Sequence, residues 1–235
     1  MSIVQGRKLW VAQYDFSGFT PGFALQTGFE VQDDTVLPDT FRSNTPGLET
    51  LSLEKQGLWD IGTALPDTIF AAHKGLADLL ATAAIATTEG SIAYFFRVTQ
   101  GDYQLGGSVG DILRYSLSLQ ASGGIGAVRG TLMQNGSESA TGSGTARQLG
   151  AVSSTQKLYA GLHVLSGTGT LDALVQSDNA EGFGSPTTRI TFTQATGATS
   201  QWATPVSGAI TDDWWRISWT IGTGPFDFIV SVGIQ

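Results

Sequence analysis

The chain has 235 residues, no cysteine, and a formal net charge of −8 from 20 acidic and 12 basic side chains. The lack of cysteine excludes disulfides, thiolate metal sites and cysteine nucleophiles. Nucleic-acid binding through phosphate neutralisation needs clustered lysines and arginines, whereas Arg7 and Lys8 are the only adjacent basic pair in this sequence.

Glycine content and hydrophobicity together favour a β-rich protein. Glycine makes up 31 of the residues, nearly twice the average share of about 7%. The hydrophobic fraction of 41% argues against disorder, so many tight turns between strands explain the glycines better. The first residues lack the layout of a signal peptide, and no apolar run approaches the ~20 residues that cross a bilayer. We therefore expect a soluble, mainly β protein without membrane insertion.

Strand-like runs fill the first half of the chain, interrupted by one helix. The runs cover 8–16, 23–31, 48–59, 91–104 and 112–121. Residues that include Ile69, His73 and Leu76 recur at helical spacing and predict an amphipathic helix over 66–80. Pro66 suits the first helical turn, and Asp67 lies where the helix dipole favours a negative charge.

A polar segment over 32–47 connects two of these strands. It is longer than the usual hairpin loop of about two to five residues. Long loops inside compact domains are often functional, for example in interactions with other molecules. A flexible loop without such a role is an alternative to which we give the same weight.

The second half of the chain also predicts β structure, after a stretch rich in glycine, serine and threonine. We predict one more strand over 127–134, a first domain over 1–135, a linker over 136–156 and a C-terminal domain over 157–235. The strands predicted in that last domain are 158–165, 171–177, 188–193, 214–221 and 228–234. Short strands with polar loops between them are typical of a small β-sandwich or jelly roll.

Residues 91–121 predict a strand, a glycine-rich turn and a second strand whose apolar and polar residues alternate. The polar face of that second strand carries Arg114, Ser116, Ser118 and Gln120. The turn contains Gly106-Gly107-Ser108-Val109-Gly110, which matches the Gly-x-Ser-x-Gly nucleophile elbow. That motif needs a helix after the serine, inside a mostly parallel α/β sheet. Because a strand follows Ser108, we interpret the motif as a hairpin turn.

No other pattern indicates catalysis or a metal site, so we expect no enzyme activity, no metal and no cofactor. Neither His73 nor His163 has a second histidine or a carboxylate at ligand spacing. The adjacent pairs Asp33-Asp34 and Asp212-Asp213 point to opposite sides of an extended chain, which is poor geometry for a shared acid–base site.

One aromatic residue is a candidate surface contact. In the run 214–221, alternation places Trp215, Ile217 and Trp219 on the core face and Trp214 on the other face. An exposed tryptophan on a β-sandwich can stack on a sugar or anchor a protein interface. A protein contact is the favoured interpretation, because no second platform aromatic is evident.

The order of these elements, with the long polar loop and the segment AYFFRVTQGDYQLGGSVGDILRYSLSLQASG, resembles the major tail (tail tube) proteins of long-tailed bacteriophages over residues 1 to about 135. The resemblance implies a β-sandwich or barrel domain with one helix, whose sheets join those of neighbouring subunits. Rings of three or six subunits would stack into a tube, with the long loop reaching the adjacent ring. The C-terminal part resembles domains that such proteins carry on the tube exterior and is assigned to no family; a second tube-like fold is the alternative.

The resemblance also implies roles for particular residues. The loop residues expected at the contact between rings are Asp33, Asp34, Asp39, Arg42 and Asn44. The polar face of strand 112–121 is a candidate lumen or subunit interface. A lumen that conducts DNA should be polar and net negative, so that phosphates meet no cationic trap. Arg97 and Arg114 count against a purely acidic lining unless they pair with Asp102 or Asp111.

We therefore expect a virion structural protein, made in the host cytoplasm, that assembles into a tail tube through which DNA passes without specific binding. Its expected partners are further copies of itself and the tape-measure and tail-end proteins. Two alternatives stay open. One is a glycan- or protein-binding β-sandwich module that uses Trp214, and the other is a capsid-decorating or other head protein.

Overall fold

The computed structural model describes residues 6–19, 22–37, 40–60 and 66–235. The helical elements of this part are α1 (Pro66–His73) and a short 3-10 turn at Ser17–Phe19. The strands are β1 (Lys8–Val11), β2 (Tyr14–Asp15), β3 (Gly22–Asp33), β4 (Asn44–Leu58), β5 (Leu79–Ala84), β6 (Ile92–Gly106), β7 (Arg114–Ala121), β8 (Val128–Glu138), β9 (Gly142–Ser143), β10 (Arg147–Gln148), β11 (Lys157–Gly167), β12 (Leu171–Asp178), β13 (Thr187–Thr191), β14 (Thr199–Trp202), β15 (Val206–Ser207), β16 (Trp214–Ile221) and β17 (Phe226–Ile234). Within these ranges, no helix has the length and apolarity to span a membrane.

The predicted fold class, mainly β with one α-helix, is confirmed. The predicted strand over 214–221 coincides with β16, and the other predicted runs match strands with shifted ends. The first run, 8–16, is two short strands, because the chain turns at Ala12 with φ of +51°. The strands that the sequence missed are β5, β9, β10, β14 and β15.

The chain divides into two compact units. The sandwich unit comprises the described part of Met1–Gly18 together with Leu79–Phe96 and Val128–Gln235. The arm unit comprises the described part of Phe19–Asp78 together with Arg97–Ala127. Strand β6 contributes residues 92–96 to the sandwich unit and residues 97–106 to the arm unit.

These units differ from the domain division predicted at residue 135. Strands β1 and β5, which precede that boundary, pair with each other inside the sandwich unit. The predicted linker over 136–156 contains the end of β8 and the strands β9 and β10, which both pair with β16. The edge of a strand can form hydrogen bonds with the backbone of a short polar segment whatever side chains that segment carries. Composition alone therefore did not predict these strands. Which segments fold as separate domains stays a prediction.

The sandwich unit holds its core between two sheets. One sheet has the strand order β14-β11-β17-β8-β6-β5-β1-β2, and the other has the order β10-β16-β12-β13 with β9 also on β16. The buried side chains between them include Leu162, Val175, Trp215, Ile217 and Phe228. The buried Trp215 donates its indole N–H to the Gly150 carbonyl at 2.8 Å, so this large side chain leaves no polar group unpaired.

The larger sheet of the sandwich unit curls, so that its β1-β2-β5 end contacts β11 and β14. Gly161 permits this approach, because a Cβ there would lie 3.0 Å from a Leu80 methyl carbon. His163 bonds through Nδ1 to the Ala12 carbonyl at 2.5 Å and through Nε2 to the Thr82 hydroxyl at 2.8 Å. The carbonyl only accepts, so Nδ1 carries the proton and Nε2 accepts. Burial lowers the pKa of His163 to about 4, and the ring is therefore neutral at pH 7.

The arm unit is an antiparallel sheet in the order β3-β4-β7-β6, with α1 on one face. Phe70 of α1 packs against Tyr103 and Tyr115, with ring centroids 5.1 and 5.5 Å apart. The Asp67 carboxylate accepts hydrogen bonds from the Tyr103 hydroxyl at 3.0 Å and the Trp59 indole at 3.3 Å. Burial, and then this carboxylate, raise the pKa of Tyr103 to about 12. These contacts hold the helix on the apolar side of the sheet.

The helix is shorter than the predicted span of 66–80. It ends at His73, which is half-buried, and Gly75 follows with φ of +79°, a left-handed conformation that commonly ends helices. Leu76 is exposed, and Leu80 lies buried in β5 instead of on the helix. A short buried strand and a buried helical segment give the same apolar pattern, so periodicity did not separate α1 from β5.

Candidate assembly surface

Strands β3 and β4 form a long hairpin whose outer part is exposed on both faces. Every described residue from 29 to 50 is exposed, whereas the next residue, Leu51, is buried. We call the described residues of 29–50 the arm. A β-bulge between Phe29 and Val31 bends it, and Gly47 permits the bulge, because a Cβ at Gly47 would lie 3.1 Å from the Glu30 carbonyl oxygen. The arm therefore projects from the sheet as a bent, two-stranded ribbon.

The predicted polar loop forms the tip of the arm and is shorter than predicted, because β3 extends to Asp33 and β4 begins at its partner Asn44. The Asp33 carboxylate accepts hydrogen bonds from the amide and hydroxyl of Thr35. The Asp34 carboxylate accepts from the Thr45 hydroxyl at 2.6 Å. These hydrogen bonds lower the pKa of both carboxyl groups.

Of the five loop residues predicted to contact a neighbouring ring, Asp33, Asp34, Arg42 and Asn44 are exposed on the arm. Asp39 lies outside the described residues. Sequence reasoning missed the apolar side chains beside them, of which Leu37 and Phe41 are 104% and 85% exposed. These positions could have been identified from the sequence, because they are apolar residues inside a charged loop. The loop has no alternation of apolar and polar residues that would predict their burial in a strand.

One face of the arm unit's sheet is polar and open to solvent. Strand pairing aligns the predicted residues Ser116, Ser118 and Gln120 with Gln56, Glu54 and Ser52 of β4. The β3 residues Ala24 and Gln26 continue two of these rows. Arg114, Gln120, Glu54 and Gln56 are exposed, and the three serines are partly exposed. The predicted alternation of β7 is thus confirmed, and the face is wider than the four residues that the sequence singled out.

The two arginines considered for this face have different surroundings. Arg97 lies 3.7 Å from a carboxylate oxygen of Asp78 and donates a hydrogen bond to the Gly123 carbonyl at 2.7 Å. The carboxylate partner of Arg97 is thus Asp78, which lies between α1 and β5, and not Asp102 or Asp111. Among the described residues, no carboxylate lies within ion-pair distance of the Arg114 guanidinium.

Both lateral edges of this sheet are open among the described residues. Strand β3 pairs with β4 alone, which leaves its other edge without a strand from residue 24 to residue 33. The second half of β6 pairs with β7 alone, which leaves the opposite edge open over residues 101–106. Open edges present unpaired backbone donors and acceptors to any strand that approaches.

The end of the sheet opposite the arm is the β6–β7 hairpin, which contains the Gly-x-Ser-x-Gly motif. The Asp111 amide donates to the Ser108 carbonyl at 3.0 Å, closing a turn that leads directly into β7. The predicted hairpin turn is thus confirmed, and a strand stands where a nucleophile elbow requires a helix. An open pocket at this end is lined by Gly106, Gly107, Ser108, Asp111, Ile112 and Arg114.

The remaining candidate residues lie in the sandwich unit. Trp214 is half-buried on the outer face of β16, between Gln148 of β10 and Asp178 of β12. Asp212 accepts from Arg189 and Asp213 accepts from Gln148, so the two adjacent carboxylates bind different partners. Among the described residues, no group of three or more histidine, aspartate or glutamate side chains is placed to hold a metal ion.

Comparison with known proteins leaves the family open. No protein family model matches the chain. No curated protein has a detectably similar sequence. Among solved structures, the Dit protein (gp 19.1) of SPP1, described as a paradigm of the hub adsorption apparatus in phages that infect Gram-positive bacteria, is similar with a TM-score of 0.38 and 7% sequence identity, over 98% of this chain and 100% of that one. A similarity this weak supports no argument about function.

Proposed function

We propose that this chain is a virion structural protein that assembles with copies of itself into stacked rings, forming a phage tail tube through which DNA passes. The supporting observation is the sheet of the arm unit, which in the described part of the chain is antiparallel throughout, has four strands and has two open edges. With an even number of strands, the two edge strands β3 and β6 run in opposite directions. The β6 edge of one copy can then pair antiparallel with the β3 edge of the next copy while both copies keep the same polarity.

Repeating this contact makes a head-to-tail interface, which closes into a ring when the rotation between copies allows it. All arms of such a ring point to the same side, towards an adjacent ring. The polar face would line the lumen, because α1 covers the other face. Its aligned rows are dominated by serine and glutamine, with Glu54 and Arg114 as charged members, so a passing phosphate backbone meets little fixed positive charge.

Electron microscopy and light scattering of the purified full-length protein test the proposal over a range of concentrations. We expect rings and tubes with a constant diameter. A protein that stays monomeric at high concentration and forms neither would overturn the proposal. Single rings that never stack would instead favour a hub component of the kind described for the similar solved structure. Binding to purified phage heads, with no ring or tube, would favour the head-protein alternative.

Two proline substitutions probe the proposed ring contact. Along an edge strand, the backbone N–H groups of consecutive residues point alternately towards the neighbouring strand and away from it. One of the two variants Gln26→Pro and Thr27→Pro therefore removes an N–H that points away from β4 and leaves the hydrogen bonds between β3 and β4 intact. We expect that variant to keep the unfolding transition of the wild type and to form no rings. Thr188→Pro on β13, an edge strand of the sandwich unit, is the matched control. Rings that persist in the folded β3 variant would contradict pairing through this edge.

The half-buried Trp214 gives the glycan-binding alternative no specific support. Tape-measure and tail-end proteins remain the further partners expected from the proposed function, and the virion remains the expected location.

A further inference from the structure

The larger sheet of the sandwich unit curls until its two ends meet, but no strand pairing joins them. Among the described residues, β14 pairs with β11 alone at one end of the sheet, and β2 pairs with β1 alone at the other. The contacts that close the curl run from β5 and the β1–β2 turn to β11 and β14. We call this boundary the seam. Within the described part of the chain, side chains and not a ladder of backbone hydrogen bonds therefore hold the seam closed.

His163 of β11 bridges the seam. The side chain is fully buried, and it binds the Ala12 carbonyl in the turn between β1 and β2 and the Thr82 hydroxyl of β5. The Trp10 ring of β1 lies beside it, with the ring centroids 6.5 Å apart. Ala12 has a φ of +51°, in the left-handed region that residues other than glycine rarely adopt. The hydrogen bond from His163 thus holds a turn that is unfavourable on its own.

A proton on Nε2 of His163 would place a positive charge where no carboxylate compensates it. Among the described residues, no carboxylate lies within ion-pair distance of the ring. The protonated Nε2 would also stop accepting the hydrogen bond from Thr82. Burying a charge without a partner costs free energy, whereas an open seam exposes the ring to water. The same cause, burial, lowers the pKa of His163 to about 4 in the closed state.

Other ionisable groups belong to the strands around His163. Those on β1, β2, β11 and β17 are Lys8, Tyr14, Asp15, Lys157, Tyr159 and Asp227, and β5 and β14 carry none. Burial alone would raise the pKa of Asp15, but hydrogen bonds, first that from Lys8, hold it below 3.8. Burial, and then the Asp15 carboxylate, raise the pKa of Asp227, so protonation of Asp227 favours the closed seam as the pH falls. Of these groups, His163 is the one whose protonation opposes closure above pH 4.

The seam encloses a small apolar core of its own. Its buried members are Trp10, Ala84, Ala93, Leu132 and Ile229. They form a cluster separate from the larger core between the two sheets, which contains Trp215 and Phe228. A part of a protein that buries few apolar side chains can open at a lower free energy than the whole domain. The seam can therefore open while the larger core stays covered.

We propose that the seam is an acid-operated latch, in which protonation of His163 releases the β1–β2–β5 end of the sheet while the core between the two sheets stays folded. Strands β1 and β2 have four and two residues, and such short strands lose order without a covering layer. The release uncovers Trp10 and the unpaired edge of β14, which are then available to other strands. The latch does not depend on the function proposed above.

Hydrogen exchange of the full-length protein at pH 7.0 and pH 4.5, corrected for the intrinsic effect of pH on exchange, tests the latch. We expect the protection of amides in β1 and β5 to fall about tenfold or more at pH 4.5, because the closed ring has a pKa of about 4 and the exposed ring one of 6.5. Amides of β12 and β16 in the other sheet should stay at least about tenfold better protected than those of β1 and β5. Equal protection in the two sets at pH 4.5 would mean that the whole unit unfolds, which would overturn the latch.

The variant His163→Gln shows whether this side chain is the source of the effect. The glutamine amide can donate to the Ala12 carbonyl but takes up no proton in this range. We expect β1 and β5 to be less protected than in the wild type at pH 7.0, and their protection to change less than about threefold between the two pH values. A fall as large as that of the wild type would overturn the proposal.

A disulfide across the seam tests the latch with His163 in place. A Cβ at Gly161 would lie 3.6 Å from Cγ of Leu80, and the native chain has no cysteine. In Leu80→Cys/Gly161→Cys, the oxidised form should keep β1 and β5 protected at pH 4.5, whereas the reduced form of the same protein, the matched control, should lose protection. The same loss in both forms would overturn the latch, because the oxidised seam cannot open. This pair also decides the question where His163→Gln fails to fold.

Discussion

The sandwich unit and the arm unit use the same alternation of apolar and polar residues with opposite results. In the sandwich unit, two sheets cover each other, and β17 is buried along nearly its whole length. In the arm unit, one short helix covers part of a single sheet, and no other described segment covers the polar face, the two edges or the arm. A strand therefore contributes to stability only where a second layer covers it, and a strand left uncovered is available for association.

The largest expected effect concerns the neighbouring tryptophans of β16 in the sandwich unit, one under a second sheet and one on the uncovered face. Trp215 is fully buried between the sheets and Trp214 is half-buried on the outer face. Trp215→Ala should lower the free energy of unfolding of the sandwich unit by about 3–5 kcal/mol, and Trp214→Ala by about 1 kcal/mol. Urea unfolding followed by circular dichroism measures both. Equal losses would mean that the two faces of β16 are not differently buried.

A pH-dependent loss of stability is expected from His163 in the sandwich unit. Its folded-state pKa of about 4 lies below the ordinary value of 6.5, so the unfolded chain binds the proton first as the pH falls. Stability is therefore complete above pH 6.5 and declines as the pH falls towards 4, by about 2–3 kcal/mol at pH 4.5. The lowered pKa values of Asp15 and Asp212 lie below their ordinary 3.8, outside this window. Burial raises the pKa of Asp227, so protonation of this carboxyl group offsets part of the loss as the pH falls.

Urea unfolding at pH 7.0 and pH 4.5 checks this dependence in the wild type and in His163→Gln. The variant keeps an amide that can donate to the Ala12 carbonyl but cannot take up the proton. We expect it to be less stable than the wild type at pH 7.0 and to lose less stability at pH 4.5. The same pH-dependent loss in both proteins would show that His163 is not its source.

The smallest effect is expected on the arm, and it is tested by two leucines of one strand. Leu48 and Leu53 both lie in β4, but Leu48 is 77% exposed and Leu53 is fully buried. Leu48→Ala should change the free energy of unfolding of the unassembled protein by less than about 0.5 kcal/mol. Leu53→Ala, the matched control, should lower it by about 2–5 kcal/mol. A large loss in Leu48→Ala would show that the arm packs on its own chain.

Local patterns predicted much of the fold and only part of the candidate surface. Alternation over 112–121 correctly predicted which side chains of β7 are buried, because a strand's period of two is a property of its backbone. The same reasoning identified the long polar segment but not the exposed Leu37 and Phe41 within it. Hydrophobicity predicts burial only on average, and exposure at these positions depends on the lack of a covering element.

The sequence by itself determined the β-rich class, the alternating faces of β7 and β16, and the hairpin turn at Ser108, because each depends on residues close together in the chain. Tertiary structure alone decided that β1 and β5 pair in the sandwich unit, that helix α1 ends before β5, and that the segment after residue 138 adds strands to β16. These features depend on hydrogen bonds and packing between residues far apart in the sequence, where the backbone of a distant strand, and not local composition, supplies the partner.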